Sequence, residues 1–121
     1  VCATDNLSSK KIKNIYPPIK LLAKEFNYPI YQPKHLSEPH FVSILRNIKA
    51  DIFAVVAFKM LPEAIISLPN RCSINLHASL LPKYRGAAPI YHAILNGEKE
   101  TGVTTFIIDN NIDTGKILLQ K

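Results

Sequence analysis

The alternation of apolar and polar positions first predicts two amphipathic helices. Both segments show the i, i+3, i+4, i+7 spacing of a helix that covers a core. Their apolar positions are Ile19, Leu22, Ala23 and Phe26 in the first, and Phe41, Ile44, Leu45 and Ile48 in the second. The first follows Pro17 and Pro18, which fit an opening helical turn. The second follows Ser37, which we expect to be its N-cap.

A different pattern begins after Asp51, where residues 52–58 are continuously apolar. Such a run predicts a strand that is buried on both faces, as in a parallel sheet covered by helices. The pattern predicts further strands at residues 73–77, 103–108 and 117–119, and helices at residues 62–68 and 87–96. In the last helix we expect Ile90, Ala93 and Ile94 to face inward and Gly97 to be the stop. Strands that alternate with helices predict an α/β fold, with a mostly parallel sheet and helices on both faces.

Composition narrows the class of protein without changing this fold. The chain has 121 residues, of which 47% are hydrophobic and 20% charged, and this balance excludes a disordered protein. Its longest apolar run is far shorter than a membrane span, so we expect no membrane partner. Two cysteines, Cys2 and Cys72, are too few for a disulfide framework and favour a reducing compartment. We therefore expect a cytoplasmic protein.

Positive charge is concentrated near the beginning of the chain. The whole sequence has 15 basic and 9 acidic residues, a net charge of +6. Lys10, Lys11 and Lys13 lie within four positions of one another, and Asp5 is the acid nearest to them. Such a cluster suits a polyanion such as nucleic acid. A solvated loop with no partner is the alternative.

Both ends of the sequence resemble interrupted elements. The first residue is Val rather than Met, and residues 1–3 resemble the tail of a strand. Residues 116–121 resemble a strand that stops without a turn. We therefore expect residues 1–121 to be one partial catalytic domain, incomplete at both ends.

Candidate chemistry lies at the carboxyl ends of the predicted strands, where open α/β sheets bind ligands. Asn75 and His77 alternate on one strand, so their side chains share a face at such an end. Asp113 lies in a turn, where Asp usually serves only turn geometry. The sequence contains neither of the common phosphate-binding glycine motifs. His35 and His40 do not share a helix face, so we expect no metal site.

Residues 75–86, with the sequence NLHASLLPKYRG, closely resemble the signature of enzymes that use 10-formyltetrahydrofolate as formyl donor. Residues 112–115, IDTG, match the second signature of that family. Residues 55–62, VVAFKMLP, and residues 85–90, RGAAPI, are similar in particular to the methionyl-tRNA formyltransferases. The resemblance extends over essentially the whole chain.

The resemblance implies a Rossmann-like domain in which Asn75, His77 and Asp113 are catalytic. It implies a pocket for the formyl donor, with no metal, and an initiator methionyl-tRNA that is bound by a basic loop. The implied folate-binding residues are Phe58, Met60, Leu61, Ser79, Leu80, Leu81, Pro82 and Ile112, and the implied tRNA-binding residues are Lys10, Lys11, Lys13 and Arg85. The family pattern also includes a first strand and a C-terminal tRNA-binding β domain, and we expect both to lie outside residues 1–121. We expect a monomer.

Two alternatives stay open. The first is another folate-dependent formyl enzyme: a formyltransferase for an amino-sugar nucleotide or glycinamide ribonucleotide, or the hydrolase domain of formyltetrahydrofolate dehydrogenase. The Asn, His and Asp roles are common to all of these. The second is an inactive truncated module that binds folate or RNA without turnover.

Overall fold

A computed structural model describes residues 1–5 and 16–121 of the chain. The elements, in chain order, are α1 (Pro18–Glu25), α2 (Pro39–Ile48), β1 (Ile52–Val56), α3 (Glu63–Ile66), β2 (Cys72–His77), α4 (Pro89–Leu95), β3 (Thr104–Ile107) and β4 (Ile117–Gln120). The predicted α/β fold is confirmed, and the predicted helices and strands are present except at residues 1–3, which form no strand. In the part of the chain described, no helix has the length and apolar character needed to cross a membrane.

The four strands form one sheet in the order β1-β2-β3-β4. β1 and β2 are parallel, with Val55 opposite Asn75. β2 pairs antiparallel with β3, where Asn75 lies opposite Phe106, and β3 pairs antiparallel with β4. The sheet is therefore mixed rather than mostly parallel. A loop of residues 108–116 joins β3 to β4, and it is too short for the crossover that parallel neighbours need.

β1 is covered on one face only, which corrects the prediction of a strand buried on both faces. Phe53 and Val55 are half-buried, whereas Ile52 and Val56 are exposed. Phe53 packs against the main apolar cluster, which consists of Leu36, Phe41, Leu45 and Ile65. β1 lies at an edge of the described sheet, and this cluster lies against the face of Phe53.

The first two helices differ from their predictions in detail. α1 forms as predicted, but its apolar stripe is not buried, since Ile19 and Phe26 are about 60% exposed. In α2, Phe41 and Leu45 are buried, as the periodicity predicts. The N-cap of α2 is Glu38 and not Ser37, and the Glu38 carboxylate accepts a hydrogen bond from the backbone N–H of His35 at 3.2 Å.

α4 leaves most of its apolar side chains in solvent. Ala93 is buried as predicted, but Ile90 and Ile94 are exposed, so the prediction that they face inward is wrong. The described elements provide a surface that fits the small Ala93 side chain but do not cover its neighbours. Gly97 ends the helix with a φ of 66°, and its N–H donates to the Ile94 carbonyl, as expected of a glycine stop.

A second buried layer lies under β2 and β3. Phe106 and Thr104 on β3 and Ser73 on β2 are at most 2% exposed. The Ser73 hydroxyl donates to the Ile66 carbonyl at 2.8 Å, so it joins β2 to the end of α3. This layer supports the strand end at which Asn75 and His77 lie.

Candidate active site

A cavity of about 1020 Å³ opens at the carboxyl ends of β1 and β2. Asn75 and His77 reach it from β2, and Asp113 reaches it from the loop between β3 and β4. Four of the predicted folate-binding residues also line it: Phe58, Met60, Leu61 and Ile112. The fold therefore brings side chains 38 positions apart in the sequence into one cavity at the predicted edge of the sheet.

His77 is buried, and both of its ring nitrogens face acceptors. Nε2 lies 2.8 Å from the backbone carbonyl oxygen of Tyr84, and Nδ1 lies 3.4 Å from Oδ2 of Asp113. Since a carbonyl oxygen only accepts, Nε2 carries a hydrogen and donates it to Tyr84. Nδ1 is then the ring atom at which a proton can be gained or lost, directly beside a carboxylate. The imidazolium form donates to both neighbours.

Asp113 is fixed by the loop that follows the site histidine. Its Oδ2 atom accepts a hydrogen bond from the backbone N–H of Gly86 at 2.7 Å. Its backbone carbonyl accepts from Nε of Arg85 at 2.9 Å. The carboxylate therefore interacts with His77 at the end of β2 and with Gly86 in the loop that follows, and the two signature segments are joined directly.

The loop that holds Asp113 has its own internal support. Asp109 accepts hydrogen bonds from the Asn111 N–H at 3.0 Å and from the Thr114 hydroxyl at 2.8 Å. A Cβ at Gly115 would lie 1.6 Å from the Ile107 carbonyl oxygen, so only glycine fits there. Asp113 itself has a φ of 52°, a left-handed conformation that Asp tolerates better than most residues.

Asn75 is half-buried at the cavity wall. Within residues 1–5 and 16–121, its side-chain amide makes no hydrogen bond. Nearby polar groups such as His77 and Asp113 are engaged with partners. An unengaged amide on the wall of a cavity is available to donate to, or accept from, a bound molecule.

The loop from Ser79 to Pro82 lies elsewhere. Ser79 is fully buried, and its hydroxyl donates to the Lys83 carbonyl at 2.6 Å. Leu81 is also buried, and its N–H donates to the Thr104 hydroxyl. Leu80 and Pro82 border a separate depression of about 260 Å³. The structure therefore does not bring Ser79, Leu80, Leu81 or Pro82 to the large cavity, and their predicted contact with folate stays a prediction.

The predicted tRNA-binding residues are only partly placed. Arg85 is exposed near the cavity and donates to the Asp113 carbonyl. Lys10, Lys11 and Lys13 lie outside the described residues. Their predicted contact with nucleic acid stays a prediction.

Sequence reasoning missed three residues that shape the site: Tyr84, Gly86 and Thr104. Tyr84 and Gly86 act through backbone groups, a carbonyl to His77 and an N–H to Asp113. Backbone roles leave no side-chain pattern to recognise. For Thr104 a signal existed, because it alternates with apolar Phe106 on a predicted strand and so shares its buried face.

Curated relatives cover most of this chain. The sequence is 53% identical over 105 residues to methionyl-tRNA formyltransferase of Bacteroides thetaiotaomicron. The aligned residues cover 87% of this chain and 33% of that protein. It is 48% identical over 122 residues to methionyl-tRNA formyltransferase of Synechococcus sp. strain JA-3-3Ab, which covers 99% of this chain and 38% of that protein. The chain thus spans about a third of the length of these curated relatives.

Solved structures share the fold. Glycinamide ribonucleotide transformylase 1 from Geobacillus kaustophilus superposes with a TM-score of 0.71 and 28% identity, over 85% of this chain and 59% of that chain. Phosphoribosylglycinamide formyltransferase from Bacillus halodurans superposes with a TM-score of 0.76 and 24% identity, over 88% and 60% respectively. The Rossmann-like α/β class is thereby confirmed. Because the formyl transferase family pattern matches residues 1–121, the chain belongs to the formyl transferase family.

Proposed function

We propose that this sequence is part of the catalytic domain of a methionyl-tRNA formyltransferase. The protein would transfer a formyl group from 10-formyltetrahydrofolate to the amino group of initiator methionyl-tRNA for translation initiation. The observation that supports this most is the identity of about 50% to methionyl-tRNA formyltransferases over most of the chain. The meeting of Asn75, His77 and Asp113 in one cavity supports a site for that chemistry.

The cavity suits the formyl donor in size and lining. Its volume of about 1020 Å³ is at the upper end of the range of small-molecule sites. Phe58, Leu61 and Ile112 offer apolar contact to the flat rings of a folate, and Asn75 offers an unengaged amide. When bound, 10-formyltetrahydrofolate supplies the formyl carbon and the nitrogen from which it leaves. We assign no metal to the reaction.

Asn75 stabilises the charge that develops on the formyl oxygen. An amine that attacks a formyl carbon pushes an electron pair onto that oxygen, and the Asn75 amide can donate a hydrogen bond to it. A preorganised donor of this kind contributes about 3–4 kcal/mol to lowering the barrier. Because the substrate amine is itself the nucleophile, the chain needs no Ser or Cys nucleophile.

We assign the proton transfers of the reaction to His77. The attacking nitrogen must lose a proton, and the departing nitrogen must gain one. Nδ1 of His77 can take up a proton beside the Asp113 carboxylate while Nε2 stays bonded to the Tyr84 carbonyl. Asp113 stabilises the resulting imidazolium and orients the ring, as the acid partner of a general base does.

The tRNA side of the proposal depends on positive charge. We assign contact with tRNA phosphates to Lys10, Lys11 and Lys13, and to Arg85 beside the cavity. Each phosphate contact releases counterions, so replacing the three lysines with Ala should flatten the salt dependence of tRNA binding by up to about 3 units. Folate binding should be unchanged in the same variant. Identical salt slopes would remove these lysines from the tRNA site.

We propose that the protein is a monomer in the cytoplasm, where its tRNA and folate substrates are available.

Formyl transfer by the full-length protein from 10-formyltetrahydrofolate to methionyl-tRNA tests the proposal, with glycinamide ribonucleotide and an amino-sugar nucleotide as competing acceptors. We expect formyl-methionyl-tRNA as the product. Preferred formylation of either small acceptor would overturn the choice of substrate but not the formyltransferase chemistry.

A further inference from the structure

The side chain of Tyr84 is held on two sides, outside the cavity. Its hydroxyl donates to Oε1 of Glu98 at 2.7 Å. Its ring stacks on His92, with centroids 6.4 Å apart and planes only 4° from parallel. Lys83 also donates to Oε1 of Glu98, at 3.1 Å. Glu98 therefore anchors two consecutive residues of the loop that follows β2.

The backbone of Tyr84 needs such an anchor. Its φ of 57° is a left-handed conformation that is costly for a bulky residue. Residues in such conformations persist only where their surroundings fix them. This conformation belongs to the residue whose carbonyl oxygen lies 2.8 Å from Nε2 of His77. An anchor on the Tyr84 side chain therefore bears directly on the orientation of the site histidine.

The pKa values of Tyr84 and Glu98 are shifted in the directions expected when the tyrosine hydroxyl donates a hydrogen bond to the glutamate carboxylate. The hydrogen bond from Tyr84, followed by that from Lys83, lowers the pKa of the Glu98 carboxyl below its ordinary value of 4.5. The hydrogen bond to Glu98 and then burial raise the pKa of the Tyr84 hydroxyl above its ordinary value of 10.0. At neutral pH the tyrosine is therefore a donor and the glutamate a charged acceptor, which is the stronger kind of hydrogen bond.

We propose that Glu98 is a positioning residue for the reaction: it holds Tyr84, and the Tyr84 carbonyl holds Nε2 of His77 with Nδ1 facing Asp113. The chain of contacts runs from a partly exposed carboxylate, through one tyrosine, to the buried imidazole. Loss of the anchor frees the Tyr84 backbone to leave its left-handed conformation. The imidazole then loses a fixed acceptor and rotates away from the geometry needed for proton transfer. This inference rests on the proposed function in assigning proton transfer to His77.

Turnover in the full-length protein provides the first test. Glu98→Ala and Tyr84→Phe both remove the hydroxyl–carboxylate bond, and we expect kcat to fall by about tenfold, because small displacements of reacting groups are costly. The KM for 10-formyltetrahydrofolate should not change, because neither residue lines the cavity. Glu98→Gln should restore most of kcat, since an amide oxygen still accepts from the tyrosine.

Matched controls separate the anchor from charge and from the neighbouring ion pair. Lys83→Met removes the second donor to Glu98 without touching Tyr84. Glu100→Gln removes an exposed acid two positions away. Both should retain parental kcat. If either control lowers kcat as much as Glu98→Ala does, surface charge explains the effect and the proposal is overturned.

The histidine itself can be observed independently of any substrate. In ¹⁵N-histidine-labelled full-length protein, with the His77 signal assigned from His77→Gln, we expect a slowly exchanging Nε2–H resonance in the parent. The signal should be lost or broadened in Glu98→Ala and in Tyr84→Phe, and retained in Lys83→Met. An unchanged His77 signal in both anchor variants overturns the proposal whatever happens to turnover. A parent that fails to formylate methionyl-tRNA would contradict the proposed substrate and leave this spectroscopic test in force.

Discussion

The loops after β2 and β3 and the N-terminal segment, residues 1–5 and 16–36, are built on different principles. In the site loops, buried polar groups are paired with one another: Thr104 alone bonds to Ser79, Leu81 and Gln120. In the N-terminal segment, residues of α1 are exposed or half-buried. Its long-range contacts include an ion pair between Asp5 and Lys20, a hydrogen bond from Gln32 to Asp5 and a backbone bond from Cys2 to Tyr31, and its last residue, Leu36, belongs to the main apolar cluster.

The difference shows where this fold fixes geometry. A buried hydrogen bond that loses one partner leaves the other unsatisfied, so the network around Thr104 resists displacement. The ion pair between Asp5 and Lys20 is only partly buried, and an ion pair that solvent reaches contributes little to stability. Residues that must be held to a fraction of an ångström, His77 and Asp113, are attached to the first kind of structure.

The largest difference between these regions is expected in the unfolding free energy that is lost when a phenylalanine is replaced with alanine. Phe106→Ala empties a site that is 2% exposed and should lower the free energy of unfolding by about 3–5 kcal/mol. Phe26→Ala changes a side chain that is 59% exposed and stacks on Tyr28, and should cost about 1 kcal/mol or less. Urea unfolding of both variants measures the difference. Similar losses would mean that α1 is packed as firmly as the sheet.

Two threonines on β3 test the polar network in the site region. Thr104→Val keeps the shape of the side chain but removes the acceptor for the Leu81 N–H and the donor to the Ser79 carbonyl. We expect a loss of about 1–3 kcal/mol in unfolding free energy. Thr105→Val, on the opposite face of the same strand, is the matched control and should be nearly neutral. If the two substitutions cost the same, the hydroxyl network does not stabilise the loop.

The smallest effect is expected at Asp5. Hydrogen bonds from Gln32 and then Lys20 lower the pKa of Asp5 below its ordinary value of 3.8. A lowered carboxyl pKa adds stability that is complete above about pH 4 and is lost as the pH falls through the lowered value. The difference in unfolding free energy between the parent and Asp5→Asn should therefore shrink as the pH is lowered from about 5 to 2. A difference that is independent of pH would show that the contact is not ionic.

Much of the fold followed from periodicity, because helix and strand spacings depend on the residues of each segment alone. Which side chains are buried was harder to predict than which segments form helices and strands. Ile90 and Ile94 have helical spacing, yet both are exposed, since burial depends on which other elements lie opposite. The same holds for Ile52 and Val56 at the edge strand. The N-cap of α2 was missed because the helix begins at Pro39, which makes Glu38 the N-cap by position, although its side chain makes no capping hydrogen bond.

The site was predictable only as far as side chains form a pattern. The alternation of Asn75 and His77 indicated a shared face, and the family resemblance added Asp113. The placement of Asp113 beside His77 depends on a left-handed turn and on the Gly86 N–H, which no spacing in the sequence reveals. Ser79 and Leu81 belong to the same family signature as Asn75 and His77, yet they are buried in their own loop and do not line the cavity.

The most direct test of the proposed chemistry compares two asparagines in the full-length protein. Asn75 lines the cavity with an unengaged amide, whereas Asn70 is exposed and donates to Asp51. In single-turnover formyl transfer to methionyl-tRNA, Asn75→Ala should be slower than the parent by about 10²–10³-fold, with an unchanged melting temperature. Asn70→Ala should transfer at the parental rate. Near-parental transfer by Asn75→Ala would contradict the assignment of this cavity as the formyl-transfer site.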